Sequence, residues 1–215
     1  MRPNRMWSGG SGKSGTAGRL KWMQWLAVVL VLLALNGAAG LWNRARLPEE
    51  FRDPVVQMAG AYGLDPLLVA AIAKAESNYQ TDAISRAGAV GLMQLMPETA
   101  DWTAGLYGDV FCPDALFDPL VNLQLGCRYF SLLSKRYEGN LTLALAAYNA
   151  GLGNVDRWLA QGRWDGQLRN ARDIPFQETR DYVIKVHLLH RVYQVVYRDW
   201  TNPPGVGDAQ GDKGS

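Results

Sequence analysis

The stretch that decides the fold is residues 75–97, AESNYQTDAISRAGAVGLMQLMP. It begins where an apolar helical pattern ends, and it continues into a polar loop that contains Ser85. Gly88 and Gly91 permit tight turns of the backbone in this loop. A short apolar segment with a single amide, Gln94, closes the stretch. An amide and a hydroxyl beside a carboxylic acid can bind sugar hydroxyls, so the stretch indicates a binding site.

The pattern around this stretch predicts helices. Upstream, apolar residues recur at spacings of three and four, which predicts a helix that ends near residue 76. Three Asp-Pro pairs supply an N-cap carboxylate followed by proline at the first helical position: Asp53-Pro54, Asp65-Pro66 and Asp118-Pro119. Three glycines follow apolar stretches, as C-terminal caps do: Gly63, Gly139 and Gly151. Further helices are predicted at residues 97–106, 118–137, 141–149, 155–159 and 176–199. No convincing alternating strand occurs in the sequence, so the predicted class is all-α.

Two glutamates are predicted to differ in protonation. Glu76 extends the apolar stripe one turn beyond Ile72, near the C-terminal end of its helix. Burial and the negative end of the helix dipole would both favour its protonated form, as a general acid requires. Glu178 is predicted in the first turn of its helix, where the dipole favours the anion. The alternative for Glu76 is a solvated carboxylate at a helix end. A second carboxylate, Asp82, lies six residues further on, and we expect it to be a turn residue rather than a catalytic one.

Four motifs recur together. They are ES at 76–77, GAVGLMQLMP at 88–97, AYNAG at 147–151 and IPFQETRDYV at 174–183. In order and spacing they resemble the catalytic domain of the soluble lytic transglycosylases, which cleave the glycan strands of peptidoglycan. The resemblance covers roughly residues 53–197. It implies an all-α, lysozyme-like domain of the goose-type or lytic transglycosylase kind.

The same resemblance implies roles for individual residues. Glu76 matches the family's catalytic acid, which later acts as the base. The implied substrate-binding residues are Ser85, Gln94, Met96, Tyr148, Asn149 and Glu178. Neither a metal nor another cofactor is implied.

The family reaction needs no second carboxylate. Glu76 would protonate the β-1,4 glycosidic oxygen between N-acetylmuramic acid and N-acetylglucosamine. It would then accept the proton of the muramic acid 6-hydroxyl, and a 1,6-anhydro end would form. Two alternatives stay open: a lysozyme-type muramidase that uses water, and a non-catalytic scaffold module that binds the cell wall.

The N-terminal residues predict export. Residues 22–42 are almost entirely apolar, and about 20 such residues span a bilayer core. The preceding residues 1–21 carry five cations and no acid, which predicts a cytoplasmic tail and a single-pass anchor. Cleavage of a signal peptide after Ala39 is the alternative. Three segments would follow the anchor: a linker at 43–52, a catalytic domain at 53–200 outside the cytoplasm, and a disordered tail at 201–215.

Charge and cysteines limit the partners. The net charge is +2, but the chain beyond residue 21 carries −3, which argues against nucleic-acid binding. The expected partners are peptidoglycan glycan strands and the membrane, in the periplasm or cell wall, with complexes for wall remodelling or secretion left open. Cys112 and Cys127 could form a disulfide, or Cys127 could be a buried thiol.

Overall fold

The computed structural model describes residues 26, 28–31 and 46–198. The chain divides into two units, Met1–Arg46 and Leu47–Ser215, and the account below concerns the second. The predicted tails at 1–21 and 201–215, and the predicted anchor at 22–42 apart from residues 26 and 28–31, lie outside the described residues. Within the described residues no single helix is long and apolar enough to cross a membrane, although Glu49–Ala61 and Pro66–Ser77 meet the length and composition requirement as a bent pair.

The second unit is built from helices. The α-helices are α1 (Arg52–Ala61), α2 (Pro66–Ser77), α3 (Pro97–Gly105), α4 (Pro119–Arg136), α5 (Leu141–Ala150), α6 (Leu152–Ala160) and α7 (Gln177–Val196). Short 3-10 helices lie at Glu49–Phe51, Pro113–Phe117 and Leu168–Asp173. Among the described residues, β-structure is limited to isolated bridges that join Val90 to Ile84 and to Leu95. The predicted all-α class is confirmed, and the predicted segment 155–159 is part of the longer α6.

Two of the three predicted aspartate caps are present. The Asp65 carboxylate accepts a hydrogen bond from the Leu67 amide (2.9 Å) at the start of α2. Asp118 accepts one from the Leu120 amide (2.8 Å) at the start of α4. The predicted Asp53 cap is wrong, because the 3-10 turn before α1 runs directly into the helix and Phe51 occupies the N-cap position. Asp53 therefore lies inside the first turn.

The folded unit starts before the predicted boundary at residue 53. Leu47 is 3% exposed, and its backbone amide donates a hydrogen bond to the Tyr197 hydroxyl (2.9 Å). The Phe51 ring stacks on Tyr79, with 5.9 Å between the ring centroids. Residues 47–52, which the sequence assigned to the linker, thus pack on the helical domain.

Helix α2 is the central helix of the core. Its residues from Leu67 to Ala73 are all buried. It packs chiefly against α7 and also against α1, while α5 packs against both α4 and α7. The Tyr79 hydroxyl, just after α2, bonds to the Ala70 carbonyl (3.0 Å) and to the Tyr193 hydroxyl of α7 (2.9 Å). These contacts fix the C-terminal end of α2, where Glu76 lies.

The two cysteines are not joined. Cys112 is exposed and Cys127 is buried in α4, both as free thiols. Burial raises the pKa of the Cys127 thiol to about 12. The buried-thiol alternative is confirmed, and the disulfide is wrong for this structure.

Candidate active site

The loop after α2 turns sharply because it contains left-handed residues. Asn78 (φ 55°) is the C-cap residue after α2, and Tyr79 (φ 66°) continues the turn. Further on, the Ser85 amide donates to the Ala89 carbonyl (2.9 Å), and the Ala89 amide donates to the Ser85 hydroxyl (3.0 Å). Ser85 is therefore held in place by its own loop.

Gly91 is required where this loop meets α4. It has φ 80°, and a Cβ atom built there would lie 2.2 Å from Asn122 Nδ2 and 2.5 Å from the Leu116 carbonyl oxygen. The fully buried Asn122 side chain accepts from the Met93 amide (2.7 Å) and donates to the Val90 and Leu116 carbonyls (2.9 Å each). Asn122 was not predicted as important, since one asparagine in a helical pattern gives no sign of these tertiary contacts.

Gln94 lies in the left-handed region (φ 49°). Its amide nitrogen donates to the Ala83 and Gly91 carbonyls at 3.0 Å each. Because both bonds use the nitrogen, the amide oxygen is the atom that Gln94 can offer to a ligand.

A cleft of about 450 Å³ brings the predicted site residues together. Glu76, Ser85, Gln94, Met96, Tyr148, Asn149 and Glu178 all line it, with Ala75, Ala87, Ala89, Asp181, Tyr182 and Lys185. A smaller cavity of about 230 Å³ shares four of these residues and extends to Tyr129 and Gly151. Asp82 does not line either cavity.

Glu76 has the environment of a group that is protonated near neutral pH. Its pKa is raised to about 7, chiefly by burial and to a smaller extent by the nearby Glu178 carboxylate. The Tyr182 hydroxyl and the Lys185 ammonium act in the opposite direction. Glu76 keeps part of its surface open to the cleft, so it can reach a ligand while most of its surroundings are protein. The alternative of a solvated helix-end carboxylate does not describe this environment.

Two tyrosines lie beside Glu76. The Tyr148 hydroxyl of α5 donates to the Met93 carbonyl (2.8 Å) and so ties the loop to the helix. The Tyr182 hydroxyl of α7 is buried without a hydrogen-bond partner in good geometry. It still lies close enough to Glu76 to oppose the rise in the pKa of that carboxyl, so a small movement would pair the two groups.

The first turn of α7 also lines the cleft. Glu178 lies in this turn, as predicted, and is exposed. The Thr179 hydroxyl donates to the Asn149 amide oxygen (2.7 Å), which joins the end of α5 to the start of α7. Met96 is the N-cap residue of α3.

Asp181, Tyr182 and Lys185 were not predicted as site residues. They follow Glu178 by three, four and seven positions, the spacing that places residues on one face of a helix. That spacing could have indicated them. Among the described residues, no cluster of three or more His, Cys, Asp or Glu side chains could hold a metal ion.

Residues 53–169, more than half of the chain, match the family described as "Transglycosylase SLT domain". The chain belongs to this family. The chain is 34% identical over 167 residues to the "Soluble lytic murein transglycosylase" of Salmonella typhimurium, a match that covers 75% of this chain and 25% of that protein. It is 30% identical over 170 residues to the "Membrane-bound lytic murein transglycosylase C" of Histophilus somni, covering 68% and 46%.

Solved structures agree with this membership. The 70 kDa soluble lytic transglycosylase of Escherichia coli superposes with a TM-score of 0.66 at 32% identity, over 74% of this chain and 26% of that one. An inactive mutant of the Pseudomonas aeruginosa lytic transglycosylase Slt gives 0.64 at 38% identity, over 71% and 25%. The predicted family is thus confirmed. The chain spans between a quarter and a half of the length of these relatives.

Proposed function

We propose that this SLT domain is a peptidoglycan lytic transglycosylase in which Glu76 is the general acid and then the base. The observation that carries the proposal is the Glu76 carboxyl, with a pKa raised to about 7 by burial, in a cleft large enough for sugar residues. An acid with a pKa near the working pH is suited to both proton transfers. The names of the relatives support the same activity.

The reaction begins with transfer of the Glu76 proton to the glycosidic oxygen. The bond from that oxygen to C1 of N-acetylmuramic acid breaks, and N-acetylglucosamine leaves with a new 4-hydroxyl. The substrate's own N-acetyl group stabilises the positive charge at C1. Glu76, now a carboxylate, accepts the proton of the muramic acid 6-hydroxyl, and O6 bonds to C1. No water is consumed, because the intramolecular hydroxyl has a high effective concentration.

The other polar groups would bind the sugars. The Gln94 amide oxygen can accept from a sugar hydroxyl, since its nitrogen is already bonded to the loop. Ser85 and Asn149 contribute polar atoms to the cleft wall, while Met96 and Tyr148 contribute apolar surface. Glu178 lies in the first turn of α7, where the helix dipole is positive, and would contribute its carboxyl group to the wall of the cleft near the sugars.

Product analysis tests the proposal. The purified full chain in detergent would be incubated with cell-wall sacculi, and the released muropeptides weighed by mass spectrometry. We expect 1,6-anhydro ends, which are one water lighter than reducing ends. Glu76→Gln should lower the rate by at least about a hundredfold, because the proton donor is lost. Release at the wild-type rate by Glu76→Gln would contradict the proposal.

Hydrolysis by a muramidase is the second candidate function. Glu178 and Asp181 also line the cleft, and a second carboxylate can activate water or act as a nucleophile. Reducing ends in the same experiment, with loss of activity in Asp181→Asn, would favour it. Absence of any cleavage by the wild-type chain would favour a non-catalytic module that binds the wall.

A membrane anchor at residues 22–42 completes the proposal. The almost entirely apolar sequence and the cations before it support the anchor, and one group of relatives is described as membrane-bound. The N-terminus of the chain would then lie in the cytoplasm, and the catalytic domain would face the periplasm or cell wall. After cell fractionation, the full chain should remain with the membranes in high salt and leave them in detergent. Recovery of a shorter chain that starts near residue 40 in the soluble fraction would indicate a cleaved signal instead.

A further inference from the structure

Lys185 of α7 bonds directly to the end of the helix that carries Glu76. Its Nζ donates to the Ala75 backbone carbonyl at 2.7 Å. Ala75 immediately precedes Glu76, and α2 ends at Ser77. Lys185 also lines the cleft beside Glu76.

This bond satisfies a group that the helix itself leaves open. The last four carbonyls of an α-helix have no partner within the helix, and a cation there complements the helix dipole. The bond joins residues 110 positions apart in the sequence. It therefore fixes the backbone from which the Glu76 side chain projects relative to α7, which also lines the cleft.

The charged and titratable groups around Glu76 come from several elements. On α7 they are Glu178, Tyr182 and Lys185, and on α5 the group is Tyr148. Asp181 lines the same cleft. Lys185 is the cation in this set, and its charge favours the carboxylate form of Glu76, whereas burial and Glu178 favour the acid.

Lys74 lies in the last turn of α2, the helix end to which Lys185 bonds, and it provides a comparison for Lys185. Burial and the charge of Lys185 both lower the pKa of its ammonium group. Its Nζ lies 5.4 Å from the centre of the Tyr79 ring, and it does not line the cleft. Lys74 and Lys185 are thus neighbouring cations, of which only Lys185 bonds to the residue before Glu76.

We propose that Lys185 is a positioning residue, whose ammonium group holds the end of α2 against α7 and places a positive charge beside the Glu76 carboxyl. The inference rests on the proposed function. It adds a residue that lies outside the four motifs. Lys185 acts in two separable ways, through its hydrogen bond and through its charge. The hydrogen bond sets the geometry for proton transfer, and the charge sets the pH at which the acid is lost.

Three substitutions separate the two effects. Lys185→Met removes both the donor and the charge, Lys185→Gln keeps a donor without the charge, and Lys185→Arg keeps both. The measurement is the rate of anhydro-muropeptide release from soluble glycan strands between pH 5 and 9, in the full chain. Circular dichroism verifies that each variant is folded.

For Lys185→Met we expect two changes. The rate at the low-pH plateau falls by about threefold to tenfold, because a misplaced acid transfers its proton less well. The fall in rate at high pH moves upward by about half a pH unit, because removing the cation favours the protonated acid. Lys185→Gln should keep most of the plateau rate and show the same shift, and Lys185→Arg should resemble the wild type.

Salt and Lys74 provide the controls. Since Lys185 is exposed, raising the salt to about 0.5 M should screen its charge and narrow the shift between the wild type and Lys185→Gln. Lys74→Met removes a neighbouring cation that does not line the cleft. It should therefore leave unchanged both the release rate at the low-pH plateau and the pH at which the rate falls.

Distinct outcomes overturn the two proposals. A Lys185→Met profile identical to the wild type overturns the role of Lys185, and so does a lower rate with an unshifted fall in all three variants. If Lys185→Met does not fold, an unshifted Lys185→Gln profile overturns it. If the wild-type chain releases no anhydro ends at any pH, the proposed function itself fails, whatever the variants do.

Discussion

Glu76 is a titratable residue in a site that disfavours the charged form of its carboxyl group. Its pKa of about 7 lies above the ordinary value of 4.5, and burial is the main cause. A carboxyl with a raised pKa binds its proton more tightly in the folded state than in the unfolded chain. Its contribution to stability is therefore full below pH 4.5 and is lost as the pH rises through 7. The same burial that prepares the acid destabilises the fold at alkaline pH.

Glu76→Gln should consequently stabilise the protein in a pH-dependent way. Glutamine is neutral at every pH, so the variant avoids the cost of a buried anion. We expect its free energy of unfolding to exceed that of the wild type by about 1 to 3 kcal/mol at pH 8, and to be nearly equal at pH 4. Urea unfolding at both pH values measures the difference. Glu178→Gln, which removes an exposed carboxylate from the same cleft, should show no such gain; an equal gain in both variants would contradict the explanation.

Gly91 and Gly88 allow steric conflict to be separated from backbone strain. Both have positive φ, but a Cβ atom at Gly88 would meet nothing within 4 Å, whereas one at Gly91 would overlap Asn122 and the Leu116 carbonyl. Gly88→Ala should cost about 1 to 2 kcal/mol from conformation alone. Gly91→Ala should cost at least about 3 kcal/mol and should also lower activity, because the loop that carries Gln94 is displaced. Thermal unfolding and the release assay test this, and similar costs for the two variants would refute it.

Local patterns predicted the residues whose role depends on their own segment. The positions of Glu76 and Glu178 at helix ends were predicted because a helix end, and the dipole there, can be derived from sequence. The tertiary contacts of Asn122 and Lys185 were not predicted, for the opposite reason. Their hydrogen-bond partners, Met93 and Ala75, lie 29 and 110 positions away. The spacing from Glu178 indicates the helix face on which Lys185 lies, but no local spacing indicates the contact with either partner.

Helix starts depend on the backbone conformation of the capping residue. Asp65 and Asp118 cap α2 and α4 as predicted, because both residues are extended (ψ 121° and 118°), although a 3-10 helix ends at Phe117 just before Asp118. Asp53 does not cap α1, since the preceding 3-10 turn already supplies helical backbone up to Phe51. The Asp-Pro pattern therefore located all three helices, but it placed the start of α1 too late.

Asp65 differs from Asp118 because it also joins two helices. Its Oδ2 pairs with His190 Nε2 of α7 (2.6 Å) in addition to capping α2. The His190 hydrogen bond is the main cause that lowers the pKa of Asp65. A carboxyl with a lowered pKa contributes stability above the unfolded value of 3.8, and this is lost as the pH falls through its folded pKa.

Asp65→Ala should therefore cost more than Asp118→Ala. Loss of a cap costs about 1 kcal/mol in either helix, and Asp65→Ala additionally leaves His190 without this partner. At pH 6 we expect Asp65→Ala to lower the free energy of unfolding by about 2 kcal/mol and Asp118→Ala by about 1 kcal/mol. The gap should narrow at acid pH, as the pH falls below 3.8 and through the lowered folded pKa of Asp65. Denaturant unfolding at both pH values measures it, and a gap independent of pH would exclude the His190 contact as its cause.

The cleft depends on the whole domain because its walls come from distant parts of the chain. Glu76 ends α2, Gln94 belongs to the following loop, Tyr148 belongs to α5, and Lys185 belongs to α7. No contiguous segment contains the site. Its geometry therefore depends on how firmly α2 and α7 are held together, and the N-terminal residues of the domain contribute to that.

The contact between Leu47 and Tyr197 joins the two ends of the folded domain. Tyr197→Phe keeps the aromatic ring, which packs edge-on against Tyr193 at 5.4 Å, and removes the hydroxyl that binds the Leu47 amide. We expect a loss of about 0.5 to 1.5 kcal/mol. More specifically, hydrogen exchange should become faster at the Leu47 amide and through the 3-10 turn, because the start of the domain opens without global unfolding.

Tyr137→Phe is the matched control for this prediction. It also removes a tyrosine hydroxyl, but one that donates to Asp156 at 2.9 Å and does not join the ends of the domain. Its exchange at Leu47 should equal that of the wild type. If Tyr197→Phe also left this exchange unchanged, the Leu47 bond would not hold the N-terminal segment, and the apolar contacts of Leu47 and Phe51 would be sufficient to do so. If only Tyr197→Phe accelerates it, residues 47–52 are a structural part of the domain, and their attachment depends on Tyr197, the residue that follows α7.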